Sequence, residues 1–151
     1  MEPKPYDELT DLELLELCVW RESRNQAPEG MFAVACSIRN RVEHPTWWGH
    51  DWATVILKPW QYSSFNKNDP NEEKWPQDGS PEFLEVCRQC EAVMNGEPDS
   101  TDGATNYYDT SITFPKAWGS ESQWDNTLNI GAFRFWKEKV KPADLSLQGD
   151  T

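Results

Sequence analysis

The stretch Thr10-Asp11-Leu12-Glu13-Leu14-Leu15-Glu16-Leu17-Cys18-Val19-Trp20-Arg21-Glu22-Ser23-Arg24 carries the reading of this chain. Thr10 followed three places on by Glu13 is the pattern in which a threonine hydroxyl and a glutamate carboxylate each accept a backbone N–H at a helix start. Leu9 and Leu14 flank that cap at the spacing of a hydrophobic staple. From there to about Arg24, Leu12, Leu15, Cys18, Val19 and Glu22 recur every three or four residues and share one helical face. Four of these five are apolar, and the fifth is a carboxylate.

A carboxylate on a core-facing stripe must be paired, neutral or lining a cleft, because water no longer stabilises its charge. Glu22 also falls in the last turn, where the negative end of the helix dipole disfavours ionisation. Both effects raise its pKa. A carboxyl group still protonated near neutral pH is the general acid that cleavage of a glycosidic bond requires. A buried ion pair with Arg24, Arg39 or Arg41 would account for the same placement, so this residue alone leaves two readings open.

Further along, Pro28 suits the first position of a second helix. Met31, Val34, Ala35, Ile38 and Val42 make its apolar stripe, up to the stop at His44-Pro45. Residues 52–57 form a short third apolar run before Pro59. Residues 59–79 are polar and rich in Asn, Asp, Glu and Pro, and a loop that long in a small domain is functional or disordered. Ser80-Pro81 opens another helix with Phe83, Cys87, Cys90 and Met94 on one side, closed by Asn95-Gly96. Past Asp102-Gly103 the segments 105–108 and 132–136 are short, aromatic and extended in character. The expectation is an α+β, mainly helical single domain over residues 9–141, its short extended segments in the C-terminal half. A flexible leader (1–8) and a flexible tail (142–151) flank it.

The bulk numbers bound the function. With 151 residues, 37% hydrophobic and 13% aromatic, the chain suits one globular domain. Fourteen basic against 26 acidic residues leave a net charge of −12, which repels phosphate backbones and anionic lipid. Nucleic acid and membrane surfaces are therefore not expected partners, whereas a saccharide remains open. No apolar run is long enough for a bilayer. Met1-Glu2-Pro3-Lys4-Pro5 lacks the basic and apolar regions of a secretory signal. Cys87-x-x-Cys90 has no second pair to make a zinc knuckle, and its cysteines share a helical face with Phe83 and Met94. Buried free thiols are the expectation, with no metal and no cofactor. No Gly-x-Ser-x-Gly elbow or phosphate-binding loop occurs, and His44 and His50 lack the helical spacing of a zinc peptidase. Cys18 and Cys36 fall mid-helix on apolar faces, which disfavours a Cys–His peptidase.

Four segments together resemble one family. Trp20-Arg21-Glu22-Ser23-Arg24-Asn25-Gln26-Ala27-Pro28-Glu29-Gly30, with Ala33-Val34-Ala35 and Ile38-Arg39-Asn40-Arg41-Val42, resembles the opening of the SleB-type cell-wall hydrolases, whose spore members degrade cortex peptidoglycan. Gln61-Tyr62-Ser63 is similar to their Gln-Phe-Ser loop, and Gly103-Ala104-Thr105-Asn106-Tyr107-Tyr108 to their Gly-Ala-Thr-His-Tyr-Tyr segment. Ile130-Gly131-Ala132-Phe133-Arg134-Phe135-Trp136 resembles their closing Gly-Asn-His-x-Phe-Tyr. The resemblance runs in order from about Leu12 to Lys137. It implies a lysozyme-like fold related to lytic transglycosylases, acting on peptidoglycan glycan strands, with the family's catalytic glutamate carried onto Glu22; a monomer is the expected state. Glu22-Ser23 is also similar to the Glu-Ser pair of the wider lytic transglycosylase group. The departures are Gln26, where the family's second glutamate stands, and Asn106 and Phe133, where its histidines stand.

Those departures bear on mechanism. An ordinary glycosidase needs two carboxylates, one of them as base or nucleophile. A lytic transglycosylase manages with one, because the sugar's own C6 hydroxyl closes a 1,6-anhydro ring. Glu29, Asp51, Asp102 and Asp109 remain candidates for a second carboxylate. Substrate contacts are expected from Ser23, Gln61, Tyr62, Ser63, Thr105, Asn106, Tyr107 and Tyr108. Strand alternation turns one of the two adjacent tyrosines into the cleft and the other inward. Trp47, Trp48, Trp60 and Trp75 flank loops and carry no assigned role. The leading expectation is a lytic transglycosylase cutting after N-acetylmuramic acid. A hydrolytic muramidase or glucosaminidase, and a non-catalytic saccharide-binding or virion module, are the alternatives. The expected setting is a bacteriophage endolysin, made in the host cytoplasm without a signal and acting on the wall after release; a trimmed secreted enzyme is the other.

Overall fold

The computed structural model of the protein describes residues 1–140, so the expected tail at 142–151 lies outside the described residues. Within them the order is α1 (Asp11–Ser23), α2 (Pro28–Glu43), α3 (Trp52–Leu57), α4 (Pro81–Met94), then β1 (Asn106–Asp109), β2 (Trp124–Ile130) and β3 (Phe133–Glu138). Short 3-10 turns stand between several of these elements.

The capping box forms as the sequence predicts. Glu13 N–H donates to Thr10 Oγ1 at 3.1 Å and Thr10 N–H to Glu13 Oε1 at 3.0 Å. The helix that follows is the hub of the molecule, packed against α2, α3 and α4. Leu14, Leu15, Leu17, Cys18, Val19 and Trp20 are all buried, so α1 is covered nearly all round rather than on the single stripe read from its periodicity. Truncating Leu17 to Ala would cost about 2–5 kcal/mol on that ground.

α2 starts on Pro28, as expected, and buries Met31, Val34, Ala35 and Ile38. α4 ends in the hydrogen-bond pair of a Schellman motif, Gly96 N–H to the Val93 carbonyl and Glu97 N–H to the Ala92 carbonyl, with Gly96 at φ +88°. Arg39 Nη1 caps the same end through the Val93 carbonyl at 2.8 Å. At the other end Ser80 holds the N-cap position, yet its hydroxyl makes no capping bond and lies buried without a partner. Cys18, Cys36 and Cys90 are buried and Cys87 half-buried, all as free thiols.

The three strands form one antiparallel sheet in the order β1-β3-β2. β1 and β3 are the two aromatic segments read as extended. β2 has no such signature, because Asp125, Asn126 and Asn129 break any apolar alternation on an edge strand with no fully buried residue. Phe133 and Phe135 turn into the core, and Trp136 turns to the other face.

Residues 1–8, expected as a flexible leader, are tied down at both ends of the segment. The Met1 amino group meets the Pro76 carbonyl at 2.8 Å and pairs with Asp78. Tyr6, in the turn Tyr6–Glu8, packs its ring edge-on to Phe65 at 5.1 Å and stacks on Trp75 at 6.0 Å. Among the described residues no helix is long and apolar enough to cross a membrane.

Candidate active site

Glu22 projects from the last turn of α1 into a chamber of about 260 Å³ walled by Arg41, Trp60, Gln61, Tyr62, Ser63, Thr105, Asn106, Tyr107 and Trp118. The Tyr107 hydroxyl donates to Glu22 Oε1 at 3.1 Å across 85 residues of sequence. Burial is the largest influence on the Glu22 carboxyl and pushes its pKa up to about 6. The Tyr107 hydrogen bond works against that rise, the charge of Asp69 adds to it, and the Ser64 hydroxyl and Arg21 oppose it. Burial and the neighbouring Glu22 raise the Tyr107 hydroxyl well above its ordinary value, so it stays a donor.

The ion-pair reading of Glu22 fails for each of its three candidate partners. Arg24 lies over the Trp20 ring at 4.4 Å and donates to Asn71. Arg39 is committed to the Val93 carbonyl and Glu43. Arg41 Nε donates to the Thr105 carbonyl at 2.6 Å. Glu22 therefore faces a cavity rather than a cation.

The walls are positioned by α1 and α2. Arg21, next to the acid, bridges α1 to the long loop: Nε to the Lys74 carbonyl at 3.0 Å, Nη1 to the Ser64 carbonyl at 3.2 Å, and Nη2 to the Glu72 carbonyl at 2.8 Å. Its guanidinium also stands 4.9 Å from the Phe65 ring centre and 5.2 Å from Trp75, and Nη1 meets the Tyr6 hydroxyl at 3.0 Å. On α2, Asn40 Nδ2 donates to Asp99, Thr101 and the Ala104 carbonyl, and Arg41 grips Thr105. These bonds fix the approach to β1 and hence the reach of Tyr107, whose ring packs 5.2 Å from Phe133 and 5.4 Å from Phe135.

Of the expected contact residues, Gln61, Tyr62, Ser63, Thr105, Asn106 and Tyr107 line the Glu22 chamber. Ser23 does not and is corrected: its hydroxyl is fully buried and donates to the Val19 carbonyl at 2.7 Å, the usual back-bond of a helical serine. Tyr108 is corrected too. Alternation sends it to the far face of the sheet, where it stacks on Trp136 and meets Phe114 and Trp118. Tyr62 contributes a ring wall that is 5% exposed, and Gln61 ties its amide N–H groups to the Trp48 and Val55 carbonyls, leaving Oε1 buried without a partner.

None of the candidate second carboxylates lines this chamber. Asp51 caps α3, Asp102 pairs with Lys137, Asp109 binds the Ser111 N–H, and Glu29 lines a separate depression. Gln26 turns to the β2–β3 hairpin, its Oε1 3.5 Å from the Ala132 nitrogen. The sequence reading gives no role at the site to several other residues. Ser64, rather than Ser63, is the buried serine whose hydroxyl acts on the Glu22 carboxyl. Asp69 acts on Glu22 by charge. Trp60 is 83% exposed, holds a left-handed φ of +68°, and borders three adjoining chambers. No local pattern announces any of them.

The profile of the family described as cell wall hydrolase matches residues 25–136. The chain belongs to the cell wall hydrolase family. The match begins three residues after Glu22. No curated protein sequence matches this cell wall hydrolase significantly. Among solved structures, the catalytic domain of the Bacillus cereus SleB protein superposes with a TM-score of 0.65, at 24% identity over 89% of this chain and 94% of that one. The catalytic domain of the germination-specific lytic transglycosylase SleB from Bacillus anthracis gives 0.66 at 23% identity, over 89% of this chain and all of that one. The cell wall hydrolase thus has the lysozyme-like SleB fold, a single mainly helical domain with one small sheet.

Proposed function

We propose that this cell wall hydrolase is a lytic transglycosylase that cleaves peptidoglycan glycan strands after N-acetylmuramic acid. One observation carries the reading: a carboxyl poised near pH 6 in a chamber that, among the described residues, no second carboxylate lines. Glu22 donates its proton to the glycosidic oxygen, and the C4 hydroxyl of the departing sugar leaves. The C6 hydroxyl of the muramic residue then attacks C1, and Glu22 takes up the proton that this hydroxyl releases. Atoms balance without water, and the acid returns to its starting state. Tyr107 positions the carboxyl, while Gln61, Ser63, Thr105 and Asn106 are the proposed sugar contacts. The likeness to the SleB relative from Bacillus anthracis, named a lytic transglycosylase, supports the reading.

A hydrolytic route has one observation in its favour, since Asp69 is near enough to act on Glu22. Mass analysis of digested wall separates the two. The proposal expects 1,6-anhydro ends, lost in Glu22→Gln and kept in Asp69→Asn; reducing ends alone from the wild type would refute it. A binding or virion module would clear no wall with either form. We further propose a bacteriophage endolysin as the setting. Expressed with a membrane-permeabilising partner, the chain should lyse cells from within, and intact cells would refute that setting.

A further inference from the structure

Arg41 is an unexplained cation. It stands on α2, is 6% exposed, and its Nη1 is buried with no hydrogen-bond partner among the described residues. No ion pair to it occurs among the described residues. Three aromatic rings partly replace a counter-charge, Trp48 at 5.2 Å, Tyr62 at 5.8 Å and Trp47 at 5.9 Å from the guanidinium carbon. A buried donor left unbonded is unfavourable, and a protein of net charge −12 has no shortage of carboxylates that could have met it.

Its position gives the missing partner an address. Arg41 forms part of the wall of the Glu22 chamber and of the larger adjoining one, about 430 Å³, which Trp47, Trp60 and Trp118 also border, with Lys58 and Glu138 as its other charged residues. Among the described residues lining the Glu22 chamber it is the sole cation. Guanidinium geometry suits a carboxylate, which it can meet with two parallel N–H bonds. Exposed indole faces suit the C–H face of a sugar ring.

We infer that Arg41 and the surrounding tryptophans form a subsite that reads a carboxylate carried by the glycan strand. The inference rests on the glycan-cleaving reading above and adds to it a reason for choosing muramic residues over neutral sugars. The carboxylate has two possible sources: the lactyl group of a peptide-free muramic residue, or the stem peptide where that lactyl group is amidated. The lactyl group is the expected source, being attached to the sugar itself.

The test uses the Glu22→Gln protein, which retains bound strands uncut, and isothermal titration calorimetry. The probes are a peptide-free N-acetylglucosamine–N-acetylmuramic acid tetrasaccharide, the same strand with its carboxyls converted to methylamides, chitotetraose, and a peptide-bearing strand. The carboxylate form should bind about tenfold tighter than the methylamide and chitotetraose, a difference of about 1.4 kcal/mol. Adding Arg41→Gln should erase that preference, so that the carboxylate and methylamide strands bind alike. Should Arg41→Gln fail to fold, the ligand series on the Arg41 protein decides alone. A preference confined to peptide-bearing strands supports the subsite and assigns it to the stem peptide. Equal binding of carboxylate and methylamide overturns the subsite and leaves the glycan reading standing. Absence of binding to every probe overturns both.

Discussion

Glu22→Gln should make the protein more stable at alkaline pH while abolishing its activity. The folded-state pKa of about 6 lies above the ordinary 4.5 for a glutamate, so the folded protein holds this proton more tightly than the unfolded chain. The sign follows: the stabilisation from the neutral acid is complete below about pH 4.5 and is lost as pH rises through about 6. The gap between about 4.5 and about 6 is worth about 2 kcal/mol. The substituted amide is neutral at every pH and keeps an oxygen to accept the Tyr107 hydroxyl. Urea unfolding should therefore show the two proteins equal near about pH 4 and the variant ahead by about 2 kcal/mol near about pH 8. A stability difference that stays constant across that range would refute the idea that this carboxyl is kept protonated by burial. Wall-suspension clearing measured on the same samples should be lost at every pH.

Three further outcomes follow from other contacts. Activity should fall with rising pH through about 6 as Glu22 loses its proton. Tyr107→Phe removes a bond that holds this pKa down, so the alkaline limb should move to higher pH; an unmoved limb would separate Tyr107 from the titrating group. Arg21→Gln removes a cation bonded to three carbonyls and should cost at least about 3 kcal/mol. Its first symptom should be proteolytic nicking at residues 63–75, and an uncut loop would count against the clamp. Gly131→Ala should cost about 1–2 kcal/mol, because φ is +53° and the new Cβ would stand 2.7 Å from Gln26 Oε1. Adding Gln26→Ala should recover part of that loss, and thermal melts of the pair check it.

The helices are legible in the sequence because their signals are local. Thr10 with Glu13, Pro28, and Asn95-Gly96 announce starts and stops within a few residues, and the structure begins or ends its helices where they say. Glu22 stands out because a carboxylate interrupts an apolar period. The rest depends on distance along the chain. Tyr107 is selected over Tyr108 by the sheet register, which pairs Tyr107 with Phe135 and needs β3 in place. β2 is held by ladder bonds to β3 with little apolar burial of its own, so its polar sequence resembles a loop. Residues 1–8 read as loose because their polar character hides one tyrosine that docks on a surface formed by Phe65 and Trp75, far along the chain. Ser64 and Asp69 acquire meaning only once the long loop is folded against α1, which no periodicity encodes.

The Arg21 clamp has a consequence for how such a wall can change. Three of the loop groups it holds are main-chain oxygens, those of Ser64, Glu72 and Lys74. Every amino acid supplies such an oxygen, so the grip is blind to side-chain identity. Substitutions along this rim could retune which wall variant is accepted while the scaffold beneath stayed in register with the acid one position away. The loop is thus free to drift in sequence where its backbone is not.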